Sequence, residues 1–276
     1  MKYRFAATQF LGARSNQEDF CGVRSNNRVL YLQSNEDTSS AGHGSDHLIA
    51  VVCDGMGGHS KGEIASRIAG ELFLGTTNLL KLSQSDPKTQ LSTACNIAND
   101  GIKEFATIMP ETMGMGTTLV GIEIEDNMLR WISIGDSRLF LIRGREIIRL
   151  NDDHSMRPVL KKMVEEGFLS ETEAEFHPDV NSLRSAIMGE EINVVDVPKT
   201  PFTIEHNDIL ILASDGIDIL TETEIAKAIR FPFSIGLKQK VKRLLQSIRQ
   251  KRSKDQDNAT ILAIRFMFSV NQPLLG

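Results

Sequence analysis

The chain has 276 residues, 41% hydrophobic and 24% charged, a composition that suits a soluble globular protein with a sizeable core. Its net charge of −5 at pH 7 argues against a nucleic-acid or polybasic membrane role for the chain as a whole, and no apolar run approaches the roughly 18 residues of a membrane span. The widely spaced Cys21, Cys53 and Cys95 form no C-x-x-C pair and cannot all bridge, and MKYRFAATQF lacks the apolar core of a signal peptide, so a cytoplasmic location is expected.

In chain order, Tyr3 to Gln9 reads as a first strand. Residues 34–46 (SNEDTSSAGHGSD) are polar and rich in Gly and Ser, and read as a mobile loop. HLIAVVC, 47–53, is apolar enough to be a strand buried on both faces. The period then changes: Ile64, Ile68 and Leu72 share a face with Ala65, Ala69 and Phe73 beside them, which predicts a helix over 62–80. A second helix is expected from about 88, capped by Asp86 with Pro87 at its first position and a stripe of Leu91, Ala94, Cys95, Ala98, Ile102 and Phe105.

Strands follow. Segments 117–125 and 128–134 flank Asp126-Asn127, and 137–142 and 146–150 flank Arg143-Gly144, which predicts two hairpins and an antiparallel sheet. A short helix is expected over 157–166, ending at Gly167, and residues 152–200 are otherwise irregular and acidic. DILILAS, 208–214, is another buried strand, Thr221-x-x-Glu224 is a capping box opening a helix to about 230, and a basic helix over about 235–252 precedes a last strand at 258–268. The eight basic residues of 238–254 read as a solvated face, because Val241, Leu244, Leu245 and Ile248 form an apolar stripe on the same helix. Met113 and Met115 read as packing. No repeat or linker divides the chain, so one domain over 1–270 with a short tail, 271–276, is expected. Strands at both ends suggest an α+β fold of two antiparallel sheets with helices packed outside.

Five acids stand at the edges of segments expected to be buried: Asp19, Asp54, Asp136, Asp215 and Asp257. Each alone can be a turn residue, since Asp-Gly is a common turn pair. If the strand ends meet, the carboxylates cannot all stay ionised without cations. An all-oxygen set with no His or Cys cluster suits Mn²⁺ or Mg²⁺ rather than zinc. Glycine carbonyls such as that of Gly55 can reach such an ion too. This chemistry points to metal-assisted hydrolysis, most naturally at phosphorus.

The ordered motifs Arg14-Ser-Asn-Gln-Glu-Asp19, Val52-Cys-Asp54-Gly-Met-Gly-Gly-His59, Gly114-Met-Gly-Thr-Thr118 and Gly135-Asp136-Ser-Arg138 continue with Asp153-His154-Ser155, His177-Pro178, Ser214-Asp215-Gly216 and Asp257-Asn258-Ala-Thr260. With them the chain resembles the metal-dependent protein Ser/Thr phosphatases of the type 2C class, in their compact bacterial form. The resemblance implies a four-layer α-β-β-α sandwich with a flap subdomain at about 155–190. It implies that Asp54 bridges two core ions, with the Gly55 carbonyl on one of them. Asp215 and Asp257 would complete one site, Asp19 would hold the other through waters with Glu18 nearby, and Asp136 with Asp215 would take a weaker third ion. Arg14 would clamp the substrate phosphate, and a metal-bridging hydroxide would attack phosphorus without a phospho-enzyme.

The implied substrates are phosphorylated proteins, products of Ser/Thr kinases, met by a monomer that binds neither nucleic acid nor membrane. The alternatives are a phosphatase dedicated to one regulatory partner and a catalytically inactive binding module. Met56 stands where relatives with a longer, eukaryotic-type motif carry a His proposed as general acid; His59 and metal-bound water are the candidates for that role here. Asp255 and Gln256 replace the usual glycines before Asp257, and Arg184-Ser185 stand where Thr-Arg is usual in the flap.

Overall fold

Strands whose residues are apolar at every position, not every second one, need cover on both faces. In a computed structural model of the chain this is what they receive. The structure describes residues 1–25, 28–57, 61–82, 87–231 and 234–268. The strands are β1 (Lys2–Phe10), β2 (Asp19–Ser25), β3 (Arg28–Leu32), β4 (Thr38–Ser45), β5 (His47–Met56), β6 (Gly116–Thr117), β7 (Leu119–Glu125), β8 (Met128–Ile134), β9 (Arg138–Arg143), β10 (Glu146–Arg149), β11 (Phe202–Thr203), β12 (Ile209–Ala213) and β13 (Ala259–Met267). The helices are α1 (Lys61–Leu82), α2 (Pro87–Ile108), α3 (Arg157–Glu165), α4 (Glu171–Glu175), α5 (Glu222–Arg230) and α6 (Leu237–Gln250).

One sheet runs β10-β9-β12-β13-β1-β4; the other runs β11-β8-β7-β5-β2-β3, with β6 paired to β5. The fold is therefore α+β, with two antiparallel sheets and helices outside them. In β5, Leu48, Ala50 and Val52 enter the core between the sheets, where they meet Leu212 and Leu262 of the other sheet. Ile49, Val51 and Cys53 point the other way, onto Phe73 of α1 and Leu91 and Ala98 of α2. In β12, Leu210 and Leu212 face the inter-sheet core, while Ile211 and Ala213 face Ile225 of α5 and Leu244 of α6. The layers are thus α1/α2, sheet, sheet, α5/α6. Among the described residues no helix is long and apolar enough to cross a membrane.

Several expectations change. Thr38–Ser45 is not a mobile loop but an edge strand, paired with β1 from Lys2↔Ser45 to Gln9↔Thr38. Its outer position satisfies the free backbone groups of β1, and its small residues accommodate the Phe5 ring, which a Cβ at Gly42 would strike. Hydropathy cannot reveal such a strand. The segment 152–200 is more ordered than expected: Ser170 caps α4 in a capping box with Glu173. The second hairpin turns on Gly144-Arg145, one residue later than read, because Arg143 pairs with Glu146. Lys240 is not on a solvated face; it is 5% exposed, and its ammonium donates to the Arg230 carbonyl at 3.1 Å. Met115 is buried but Met113 is exposed. Asp86, Gly58, His59 and the 271–276 tail lie outside the described residues.

Candidate metal and phosphate site

β2 and β5 are antiparallel neighbours in register Asp19↔Asp54, Phe20↔Cys53 and Cys21↔Val52. Cross-strand partners share a face, and Cys21 and Val52 belong to the inter-sheet core. Asp19 and Asp54 therefore project from the end of that face, where apolar packing stops. The other sheet ends beside them. β12 and β13 pair from Ile209↔Arg265 to Ala213↔Ile261, so Asp215, just after β12, and Asp257, just before β13, reach the same end of the sandwich. Gly216 makes this closeness possible: a Cβ there would collide with the Asn258 carbonyl. Asp136 arrives on the turn from β8 to β9, in which Gly135 has φ +94°.

A cleft of about 770 Å³ opens at this end, lined by Arg14, Asp54, Gly55, Asp136, Asp215 and Asp257 among others. Glu18, Met56, Thr118, Arg184 and Ser185, also singled out from sequence, line the same cavity. Asp19 lies beneath it, 1% exposed. Its Oδ2 accepts from Ser214 Oγ at 2.7 Å, while Oδ1 is buried without a hydrogen-bond partner.

Burial is the main force on these acids. It pushes Asp19 up to about 7 despite the Ser214 and Thr260 hydroxyls, and Asp215 up to about 6, with Asp136 and Asp257 adding to the effect. Asp54 is driven well above the carboxylate range by burial and then by Asp19, Asp215, Asp136 and Asp257. Asp136 is raised by burial, although Arg138 opposes the shift. Among the described residues no three acid, His or Cys groups close into a finished metal cage. Arg14 Nη2 binds Asp257 Oδ2 at 2.5 Å.

Hydrogen bonds tie the scaffold beneath together. Thr118 Oγ1 accepts from the Asp54 amide at 3.0 Å and hydrogen-bonds Ser137 Oγ at 2.7 Å, while Thr117 Oγ1 donates to the Asp54 carbonyl at 2.9 Å. The Gly55 amide donates to the Glu18 carbonyl at 3.1 Å. At Gly55 a side chain would run into the Gly62 carbonyl, so β5 and α1 meet here backbone to backbone. Beneath Asp136, Asn151 accepts from the Leu139 amide and donates to Ser133 Oγ and the Ser137 carbonyl, each at 2.8 Å.

Sequence reading gave no role to Asn151 or to Asp218. Asp218 gathers Arg138 and Arg157, the latter at 3.0 Å, beside Asp136 and Asp215. Its three-residue spacing from Asp215, one turn on, was the available signal.

The Protein phosphatase 2C family model matches residues 32–256 of this chain. The chain belongs to that family. It is 31% identical over 202 residues to the serine/threonine phosphatase stp of Listeria monocytogenes, covering 71% of this chain and 77% of that protein. It is 29% identical over 257 residues to the serine/threonine protein phosphatase PstP of Mycobacterium tuberculosis, covering 90% of this chain but 46% of that protein. The chain thus spans about half the length of this mycobacterial relative. The crystal structure of the M. tuberculosis serine/threonine phosphatase PstP/Ppp superposes with a TM-score of 0.72 at 25% identity, covering 97% of this chain and 100% of that one. A PstP catalytic domain solved in complex with 2 manganese ions gives 0.69 at 24% identity, covering 97% and 100%. In this 2C chain the strand-end acids, Gly55 and Arg14 meet around one cleft.

Proposed function

We propose that this chain is a divalent-metal-dependent phosphatase that removes phosphate from phosphoserine and phosphothreonine in proteins and so opposes Ser/Thr kinases. The observation that carries the reading is the meeting of Asp54, Asp136, Asp215 and Asp257 with the Arg14 guanidinium at the common end of two sheets. Membership of the 2C family and the similarity to named Ser/Thr phosphatases support it. The acting unit is one domain over residues 1–270, with 155–190 as its flap, working as a cytoplasmic monomer.

The residues fit hard cations in kind. Oxygen donors converge, burial disfavours their charge, and Asp19 Oδ1 is sealed in without a partner. Asp54, with the Gly55 carbonyl, Asp19, Asp215 and Asp257, would hold two Mn²⁺ or Mg²⁺ ions, and Asp136 with Asp215 a weaker third. When bound, such ions stabilise charge developing on a phosphoryl group and lower the pKa of water.

The protein's own groups position the substrate. Arg14 projects a half-exposed guanidinium into the cleft, where phosphate oxygens compete with Asp257 for its two-pronged donor face. Buried Asp19 and the Thr117–Thr118 hydroxyls keep the end of β5 from yielding. His59, which lies outside the described residues, and water are the two candidates for donor to the leaving oxygen.

The test is hydrolysis of a chromogenic aryl phosphate with Mn²⁺, with and without chelator, followed by phosphoserine and phosphothreonine peptides. Turnover that ignores chelation, or full activity in Asp215→Ala, overturns the reading.

A further inference from the structure

One wall of the cleft is held by a side chain from α2. Ile187, fully buried, exchanges two backbone hydrogen bonds with Thr117, at 3.0 and 2.9 Å, and so ties this wall to the strand end that carries Asp54. Directly after it, Asn99 of α2 grips three successive residues. Its Oδ1 accepts from the amides of Met188, at 3.2 Å, and Gly189, at 2.8 Å, and its Nδ2 donates to the Glu190 carbonyl at 2.7 Å. Gly189 has φ +82°, and a Cβ there would press on Lys103 of α2 at 2.8 Å, so the segment seats flush on the helix. A stretch held by its backbone in this way has a fixed path, which sets where its side chains leave the chain.

Glu190 and Glu191 are the side chains so placed. Both are exposed and both line the cleft. The cations on the same cleft are otherwise engaged. Arg14 meets Asp257, Arg157 meets Asp218 at 3.0 Å, and Arg184 donates to the Asp153 and Ser155 carbonyls at 3.1 Å. A chain crossing the cleft would meet the two carboxylates of Glu190 and Glu191 on this wall.

We propose that Asn99 is a positioning residue for substrate choice. By fixing 188–190 it aims Glu190 and Glu191 at the flanks of the phosphorylated residue, so that peptides with Lys or Arg beside phosphoserine or phosphothreonine are preferred. The inference rests on the phosphatase reading above.

The test compares kcat/KM for two phosphothreonine peptides of equal length, one flanked by lysines and one by glutamates, alongside an aryl phosphate that has no flanks. Each exposed ion pair is worth about two- to fivefold, so the lysine peptide is expected to lead by about tenfold at low salt, and by less as salt rises. The double variant Glu190→Lys, Glu191→Lys inverts the order of the two peptides. Asn99→Ala brings the peptide ratio towards one through a higher KM for the lysine peptide. Asn99→Asp, which keeps the acceptor for two amides and loses the donor, falls between.

A wild-type protein without the preference, or a preference that survives charge reversal, overturns the proposal. An Asn99→Ala protein that melts earlier yet keeps the full peptide ratio shows a structural role only and overturns the positioning assignment. Failure of wild type on the aryl phosphate with Mn²⁺ overturns the phosphatase reading itself, and the inference with it.

Discussion

Asp19 and Asp54 are register partners across β2 and β5, so two mutually repelling carboxylates are built into a single rung of one sheet. Neighbouring strands lie about 4.8 Å apart, and backbone hydrogen bonding along the strands leaves neither residue free to retreat. The fold imposes the repulsion, and a cation held between the two would relieve it.

Removing one charge should therefore act oppositely on stability and activity. Asp54→Asn is expected to melt higher than wild type in chelator, by about 2–4 °C for each kcal/mol of repulsion relieved. It should lose about a thousandfold or more in Mn²⁺-dependent turnover, along with the thermal upshift produced by Mn²⁺. Thermal melts with and without Mn²⁺ check both halves. A variant that melts lower in chelator would show that the pair is not a source of strain.

The same repulsion sets a pH dependence for the chelated protein. In the folded state Asp19 is raised to about 7 and Asp215 to about 6, against ordinary values near 3.8. Between pH 4 and 7 the folded state then holds protons that the unfolded state has released, so stability falls as pH rises through this window. The slope is about 1.4 kcal/mol per pH unit for each such proton. Melts of chelated protein should shift upward on acidification from pH 7 to 5, and saturating Mn²⁺ should flatten the profile. A chelated protein that gained stability on approaching pH 7 would contradict the assignment.

Arg14 has two possible partners, Asp257 and a substrate phosphate. Charge-assisted hydrogen bonds are worth about 1.5–3 kcal/mol, so Arg14→Ala should raise KM for an aryl phosphate about 10- to 100-fold while kcat falls less. Steady-state kinetics decide the matter. A fall confined to kcat would remove the clamp from the account.

Asn151 should matter to stability although it touches no substrate. Asn151→Ala strips the Leu139 amide, the Ser133 hydroxyl and the Ser137 carbonyl of their buried partner. A loss of about 1–3 kcal/mol is expected from chemical denaturation, with Mn²⁺ affinity reduced because the turn bearing Asp136 loosens. Unchanged denaturation would mean that another group takes over these bonds.

Much of this molecule was legible without coordinates. Unbroken apolar runs at 47–53 and 208–214 required cover on both faces, and helical periodicity at 62–80 supplied part of that cover. The acids at the strand ends raised the question of a cation because buried carboxylates need compensation. What escaped the reading had no hydropathic signature. Thr38–Ser45 is a strand because β1 needs a partner, and Lys240 is buried because a carbonyl waits for it.

Local chemistry thus determined most of the elements and the family, and it named the acids that could serve as ligands. Only the tertiary structure decided that Asp19 and Asp54 share a rung, that Arg14 rests on Asp257, and that Asn99, remote in sequence, holds the cleft segment 188–190. Those relations depend on register and on the meeting of two sheets. A linear sequence states which groups are present, while their distances come from the packing that brings strand ends together.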